Sequence, residues 1–240
     1  ACILLFMRGG PSQFETLAPK PGHANGGETK AISTSVAGVE VAETLPRVAQ
    51  VMDRLALIRS MTTKEGNHQR AAFLMHTGYA PTASVRYPTL GATAAHQIAD
   101  AACELPAFVR IGGRGQDGGG GGGFLEVEFD AFDVQSANAK PANTAIATSA
   151  SRFEQRLGLL ERLDAAGYGA QNAIETANHR KLYQQAARMI TSDQMAAFNL
   201  DDESSAMRDD YGRTEFGASC LLARRLVESG VTFFEINSNS

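Results

Sequence analysis

The sequence has no tryptophan, only 3 cysteines, and no apolar run near the roughly 18 residues that a membrane-spanning helix requires. Cys2, Cys103 and Cys220 are odd in number, widely scattered and set among apolar neighbours. That excludes a dense disulfide framework and predicts buried free thiols. The opening run Ile3–Met7 is of strand length, with no charged segment before it and no small-residue cleavage site after it. It is not a signal peptide, so any export signal is expected upstream of Ala1. An excess of positive charge is also missing. A net charge of −4 and a pI near 5.8 exclude a nucleic-acid footprint, and no basic amphipathic stretch suggests attachment to a membrane surface. There is no Gly-x-Ser-x-Gly elbow, Cys-x-x-Cys pair, Walker loop or Gly-x-Gly-x-x-Gly turn opening a helix after a strand. The enzyme classes built on those motifs are disfavoured.

What remains is 240 residues with 43% hydrophobic side chains, enough to bury the core of one domain, residues 1–240. The unbroken apolar run Ile3–Met7 predicts a strand buried on both faces, ending in the Gly-Pro turn Arg8–Ser12. Pro46 opens a helix whose apolar stripe is Leu45, Val48, Met52 and Leu55. Ala56–Met61 reads as a second strand and Phe108–Ile111 as a third. Asn67 caps a helix running to about His76 and closed by Gly78. Another helix spans about 88–102. Residues 151–198 carry a helical pattern, broken near Gly167-Tyr168-Gly169, within a helical insertion at about 151–210. A last helix, about 214–228, turns Phe216, Cys220, Ala223 and Val227 inward and leads into the strand Val231–Ile236. Strand and helix alternate at both ends of the chain. The expected fold is therefore α/β, a doubly wound and mostly parallel sheet with helices on both faces.

Ligands of such sheets bind outside the carboxyl ends of the strands. After the first strand stand Ser12 and Glu15, a hydroxyl and a carboxylate. Glu15 could ligate a hard cation or be an ordinary solvated side chain. Asn67, His68 and Arg70 open the helix after the predicted second strand. The positive helix end disfavours imidazolium, leaving His68 a neutral ring that can bind metal or act as a base, or a helix-start histidine without a role. The same helix end, with Arg70, would welcome a phosphate or sulfate group. His76 lies about 12 Å further along at about 1.5 Å per residue, too far to share an ion with His68, and reads as an interior or sheet-facing residue. His23, His96 and His179 read as surface residues. The glycine-rich run 112–123 reads as a surface loop rather than a phosphate cradle, because no Gly-Lys-Ser/Thr follows it.

Several segments together carry a resemblance. They are Cys2–Met7 with Gly9-Gly10-Pro11-Ser12-Gln13, then Arg59-Ser60-Met61, then Asn67-His68-Gln69-Arg70 through His76-Thr77-Gly78, and Tyr211–Gly217. Over nearly its whole length the chain resembles a bacterial exported family catalogued as domain of unknown function 1501. That family is allied to the alkaline phosphatases and sulfatases. The resemblance implies an alkaline-phosphatase-like sheet and metal-dependent hydrolysis of small phosphate or sulfate esters. It also implies a divalent metal ion and export, to the periplasm or cell surface, through a twin-arginine signal.

On that resemblance Glu15 and His68 are the candidate metal ligands, His68 and Arg70 the candidate catalytic residues, and Ser12, Asn67 and Arg70 the candidate anion-binding set. The chain also departs from the pattern. In the superfamily a serine, threonine or modified cysteine stands nine residues before the Thr-Gly pair, and counting back from Thr77 reaches His68. The family's Leu-Asp-Thr-Phe-Asp-Pro-Lys-Pro reads here Phe14-Glu15-Thr16-Leu17-Ala18-Pro19-Lys20-Pro21. Its Gly-Trp-Asp-Thr-His segment, a source of metal ligands, would begin just after Ser240, so the domain is expected to be incomplete and this fragment inactive. The alternative to a hydrolase is a non-catalytic exported binding or assembly protein that keeps the fold.

Overall fold

This computed structural model describes residues 1–113, 121–166 and 173–238, except for the side chains of 150, 164, 165 and 173–175. The chain divides into two compact units, Ala1–Phe6 with Glu65–Asn239, and Met7–Lys64. Strand β1 (Cys2–Phe6) opens the larger unit. The smaller unit then contributes an antiparallel pair, β2 (Ala31–Ser33) and β3 (Glu40–Ala42), and a short helix α1 (Pro46–Gln50). The larger unit resumes with α2 (His68–Thr77), α3 (Leu90–Ile98), β4 (Phe108–Ile111) and β5 (Phe132–Val134). It continues through α4 (Ala150–Ala165), α5 (Ala173–Thr191), α6 (Ser205–Tyr211) and α7 (Glu215–Glu228) to β6 (Phe233–Asn237). The predicted break at Gly167–Gly169 lies outside the described residues.

β1, β6, β4 and β5 form, in that order, a four-stranded parallel sheet flanked by helices. Its pleat sorts the side chains. On one face Phe234, Ile236, Val109, Ile111 and Val134 pack against Leu221, Leu222 and Leu226 of α7 and Met189 of α5. On the other, Ala95 of α3 covers Phe108 and Phe233, whose rings meet edge-on at 5.4 Å. Burying each such side chain contributes about 1.5–3 kcal/mol, so these two layers hold the sheet. In the smaller unit Val41, Ala49 and Met52 form a separate core.

Five expectations are corrected. β1 is not buried on both faces: it is an edge strand, and Ile3 and Leu5 are 42% and 51% exposed. Cys2 is exposed with it, while Cys103 and Cys220 are free and half-buried, their thiols pushed up by burial. Ala56–Met61 forms no strand. It finds no ladder partner among the described residues, and Ile58 is 69% exposed, because an apolar pattern reports what a segment can bury and not what it pairs with. The helix begun by Pro46 tightens after Gln50 into a 3₁₀ turn, Met52–Arg54, leaving Leu55 exposed. The buried face of α7 is Ala218, Leu221, Leu222 and Leu226 with Ala223, rotated from the predicted stripe, and Phe216 is exposed.

Candidate functional site

In the smaller unit Ser12 caps the 3₁₀ turn Gln13–Glu15, its hydroxyl accepting from the Phe14 N–H at 3.2 Å. The Thr16 hydroxyl donates to the Ser12 carbonyl at 3.0 Å, and the Thr44 hydroxyl donates to the Glu15 carbonyl at 2.8 Å. The backbone of this turn is thereby held from both sides. Ser12 is half-buried and Glu15 exposed.

In the larger unit Asn67 is the N-cap of α2, and its side chain accepts from the Arg70 N–H at 3.1 Å. The helix closes as its sequence demands, with Gly78 at φ 77° donating its N–H to the Leu74 carbonyl at 2.7 Å. His68 stands exposed in the first turn. The backbone N–H groups of His68 and Gln69 lie in the first turn of α2, where the helix itself supplies no acceptor. Arg70 is not free: its Nε and Nη2 donate to the two carboxylate oxygens of Glu65 at 2.9 and 2.8 Å. Hydrogen bonding from Arg70 holds Glu65 below the usual carboxylate range, and Glu65 pushes Arg70 up in turn. An anion recruited by Arg70 would compete with Glu65 for the Nε–Nη2 edge or use the Nη1 side. Replacing Asn67 by alanine is expected to cost about 1 kcal/mol of stability, read as a lower urea midpoint at unchanged slope.

Of the candidate residues, then, Ser12 and Glu15 share one turn, and Asn67, His68 and Arg70 share another in the other unit. Among the described residues no three His, Cys, Asp or Glu side chains gather into a set able to hold a metal ion.

A buried polar assembly lies on the sheet itself, outside the motifs of the sequence. Strand register places Glu235, Arg110 and Asp133 side by side across one face of the sheet. Arg110 is 1% exposed, and its Nε and Nη1 reach Glu235 Oε1 and Asp133 Oδ1, each at 3.2 Å. The Asn237 amide donates to the same Glu235 oxygen at 3.2 Å and to the Gly113 carbonyl at 3.0 Å. His76, 5% exposed, closes the row from α2, its Nε2 3.4 Å from Glu235 Oε1. Burial pushes Glu235 up, but His76, Arg110 and Asn237 together hold it below the usual range. Charged residues inside the apolar strands Phe108–Ile111 and Phe233–Asn237 were the available signal. A cleft of about 290 Å³, lined by Pro106, Phe132 and Met189, opens at the amino ends of β4 and β5, away from the carboxyl edge.

A family model described as "Protein of unknown function (DUF1501)" matches residues 1–240. The chain belongs to the DUF1501 family. No curated protein and no solved structure matches it. Within this DUF1501 chain the segments that carried the resemblance include two structural devices: the capped helix 67–78 and the α6–α7 junction at Tyr211–Gly217.

Proposed function

We propose that this DUF1501 protein is an exported, hydrolase-like member of the alkaline phosphatase and sulfatase superfamily that acts on small phosphate or sulfate esters with a divalent metal ion. The observation that carries this reading is the first turn of α2. Asn67 fixes that turn, the first N–H groups of the helix have no partner within it, and His68 stands beside them at its positive end. Such an end suits a phosphate or sulfate oxygen. Asn67 and these amides would receive the ester, Arg70 would assist in competition with Glu65 or from its Nη1 side, and Ser12 is a further candidate anion donor. His68 is a candidate nitrogen ligand for the metal on the larger unit, and Glu15 a candidate oxygen ligand on the smaller one. A bound divalent ion would supply electrostatic stabilisation of the ester's developing charge.

The second reading, a non-catalytic binding or assembly protein, is favoured by one specific observation. Arg70, the cation nearest these amides in sequence, is engaged side-on by Glu65 through its Nε and Nη2. The natural full-length protein, assayed with zinc, manganese or calcium against nitrophenyl phosphate and nitrophenyl sulfate, separates the two. Turnover that falls more than about tenfold in His68→Ala is expected, equivalent to about 1.4 kcal/mol of transition-state stabilisation. Neither metal uptake nor turnover would overturn the enzyme and leave the binding protein.

A further inference from the structure

His76 occupies the last turn of α2, and of that helix's residues only Ala72 and His76 are buried. The attachment of α2 to the sheet therefore rests heavily on one imidazole. Its Nδ1 lies 2.7 Å from the Ala72 carbonyl oxygen, which can only accept, so Nδ1 must carry a proton. Its Nε2 faces the Glu235 carboxylate at 3.4 Å, inside ion-pair range but without hydrogen-bond geometry. A neutral ring with its proton on Nδ1 would press an Nε2 lone pair against a buried carboxylate. An imidazolium would satisfy both neighbours.

The groups that face the ring favour the same state. The groups facing His76 are Glu235 and the neutral Asn237 on β6, Arg110 on β4 and, beyond it, Asp133 on β5; β1 contributes only the Phe6 ring, 4.5 Å away. On α2 itself the charged Arg70 is at the opposite end and paired with Glu65. Glu235 lies between the Arg110 guanidinium and the His76 ring, and a protonated ring adds a second cation beside this buried carboxylate. An uncompensated charge at this depth is what a folded protein avoids most strongly.

We propose that protonation of His76 latches α2 to the sheet, so that the helix is docked at neutral and mildly acidic pH and loosened when the ring loses its proton. Burial pulls His76 down, but Glu235 and the Ala72 carbonyl outweigh it and the net displacement is upward. The sign follows: a group raised on docking contributes fully below its ordinary value of 6.5, and the contribution is lost as pH climbs through the raised value. The latch does not depend on the protein being a hydrolase.

The test is hydrogen exchange of the Ala71–Thr77 amides, normalised to intrinsic rates and compared with α3 and α7, from about pH 5 to about pH 9, alongside an NMR titration of the His76 ring. Protection of α2 is expected to fall by up to about tenfold for each pH unit separating the docked and undocked histidine, while α3 and α7 hold theirs. Glu235→Gln should bring the ring's titration down and flatten the α2 step. A wild-type ring that is neutral throughout, or α2 protection that is level across the range, would overturn the latch without recourse to any variant.

Discussion

Replacing Arg110 by alanine is expected to destabilise the larger unit by about 3–5 kcal/mol, the cost of removing one partner from a buried ionic layer. The guanidinium pairs with both Glu235 and Asp133, and it also sits over the Phe108 ring, 5.6 Å from its centroid. Taking it away leaves one fully buried and one partly buried carboxylate facing each other across the sheet, with only His76 and Asn237 to stabilise Glu235. The layer as a whole is a different matter. Exchanging all four of Asp133, Arg110, Glu235 and His76 for apolar residues of similar volume is expected to be nearly neutral or stabilising, since the gain of a buried ion network is largely offset by its desolvation. Urea titration distinguishes the two cases: a much lower midpoint at unchanged slope for Arg110→Ala, and a midpoint near the wild type for the fully apolar layer. A single substitution costing less than about 1 kcal/mol would mean that water or rearrangement supports the carboxylates.

That layer also marks where reading the sequence stops. The boundaries of α2 were legible because they are local: Asn67 captures an N–H three residues ahead and Gly78 adopts a left-handed backbone, and both requirements are written within one turn. The strand Phe108–Ile111 and the α7–β6 passage were legible for the same reason. The partnership of Arg110 with Glu235 spans 125 residues and exists only because β6 inserts between β1 and β4. No periodicity carries that information. Edge position is equally non-local, which is why the apolar β1 looked buried on both faces and Ala56–Met61 looked like a strand. Among the candidate site residues, the capping role of Asn67 follows from residue type and spacing, whereas the cap that Ser12 makes on the turn Gln13–Glu15 was not foreseen. The capture of Arg70 by Glu65 depends on how the loop before α2 bends, and was missed.

Gly217→Ala is the second large effect, and here two opposed terms must be weighed. In an exposed helix interior the change would stabilise by about 1 kcal/mol through helix propensity alone. At this position an added Cβ would lie 2.3 Å from the Tyr211 carbonyl oxygen and 2.4 Å from that of Gly212. Both are backbone atoms, so no side chain can swing aside. The junction is pinned as well. The Thr214 hydroxyl accepts from the Gly217 N–H at 3.1 Å, Arg213 pairs with Asp209 at 2.6 Å, and Glu215 accepts from the Ala137 N–H and the Asn138 amide, each at 2.8 Å. Overpacking a constrained site costs about 1–3 kcal/mol and occasionally more, and two backbone collisions place Gly217 at the upper end. The net loss is expected to be about 2 kcal/mol, whereas Gly158→Ala, in α4 with open space around it, should gain slightly. Opposite signs for the two substitutions would establish that the Tyr211–Gly217 segment is kept in this chain by the close approach of two helices, independently of any chemistry at the sheet's edge.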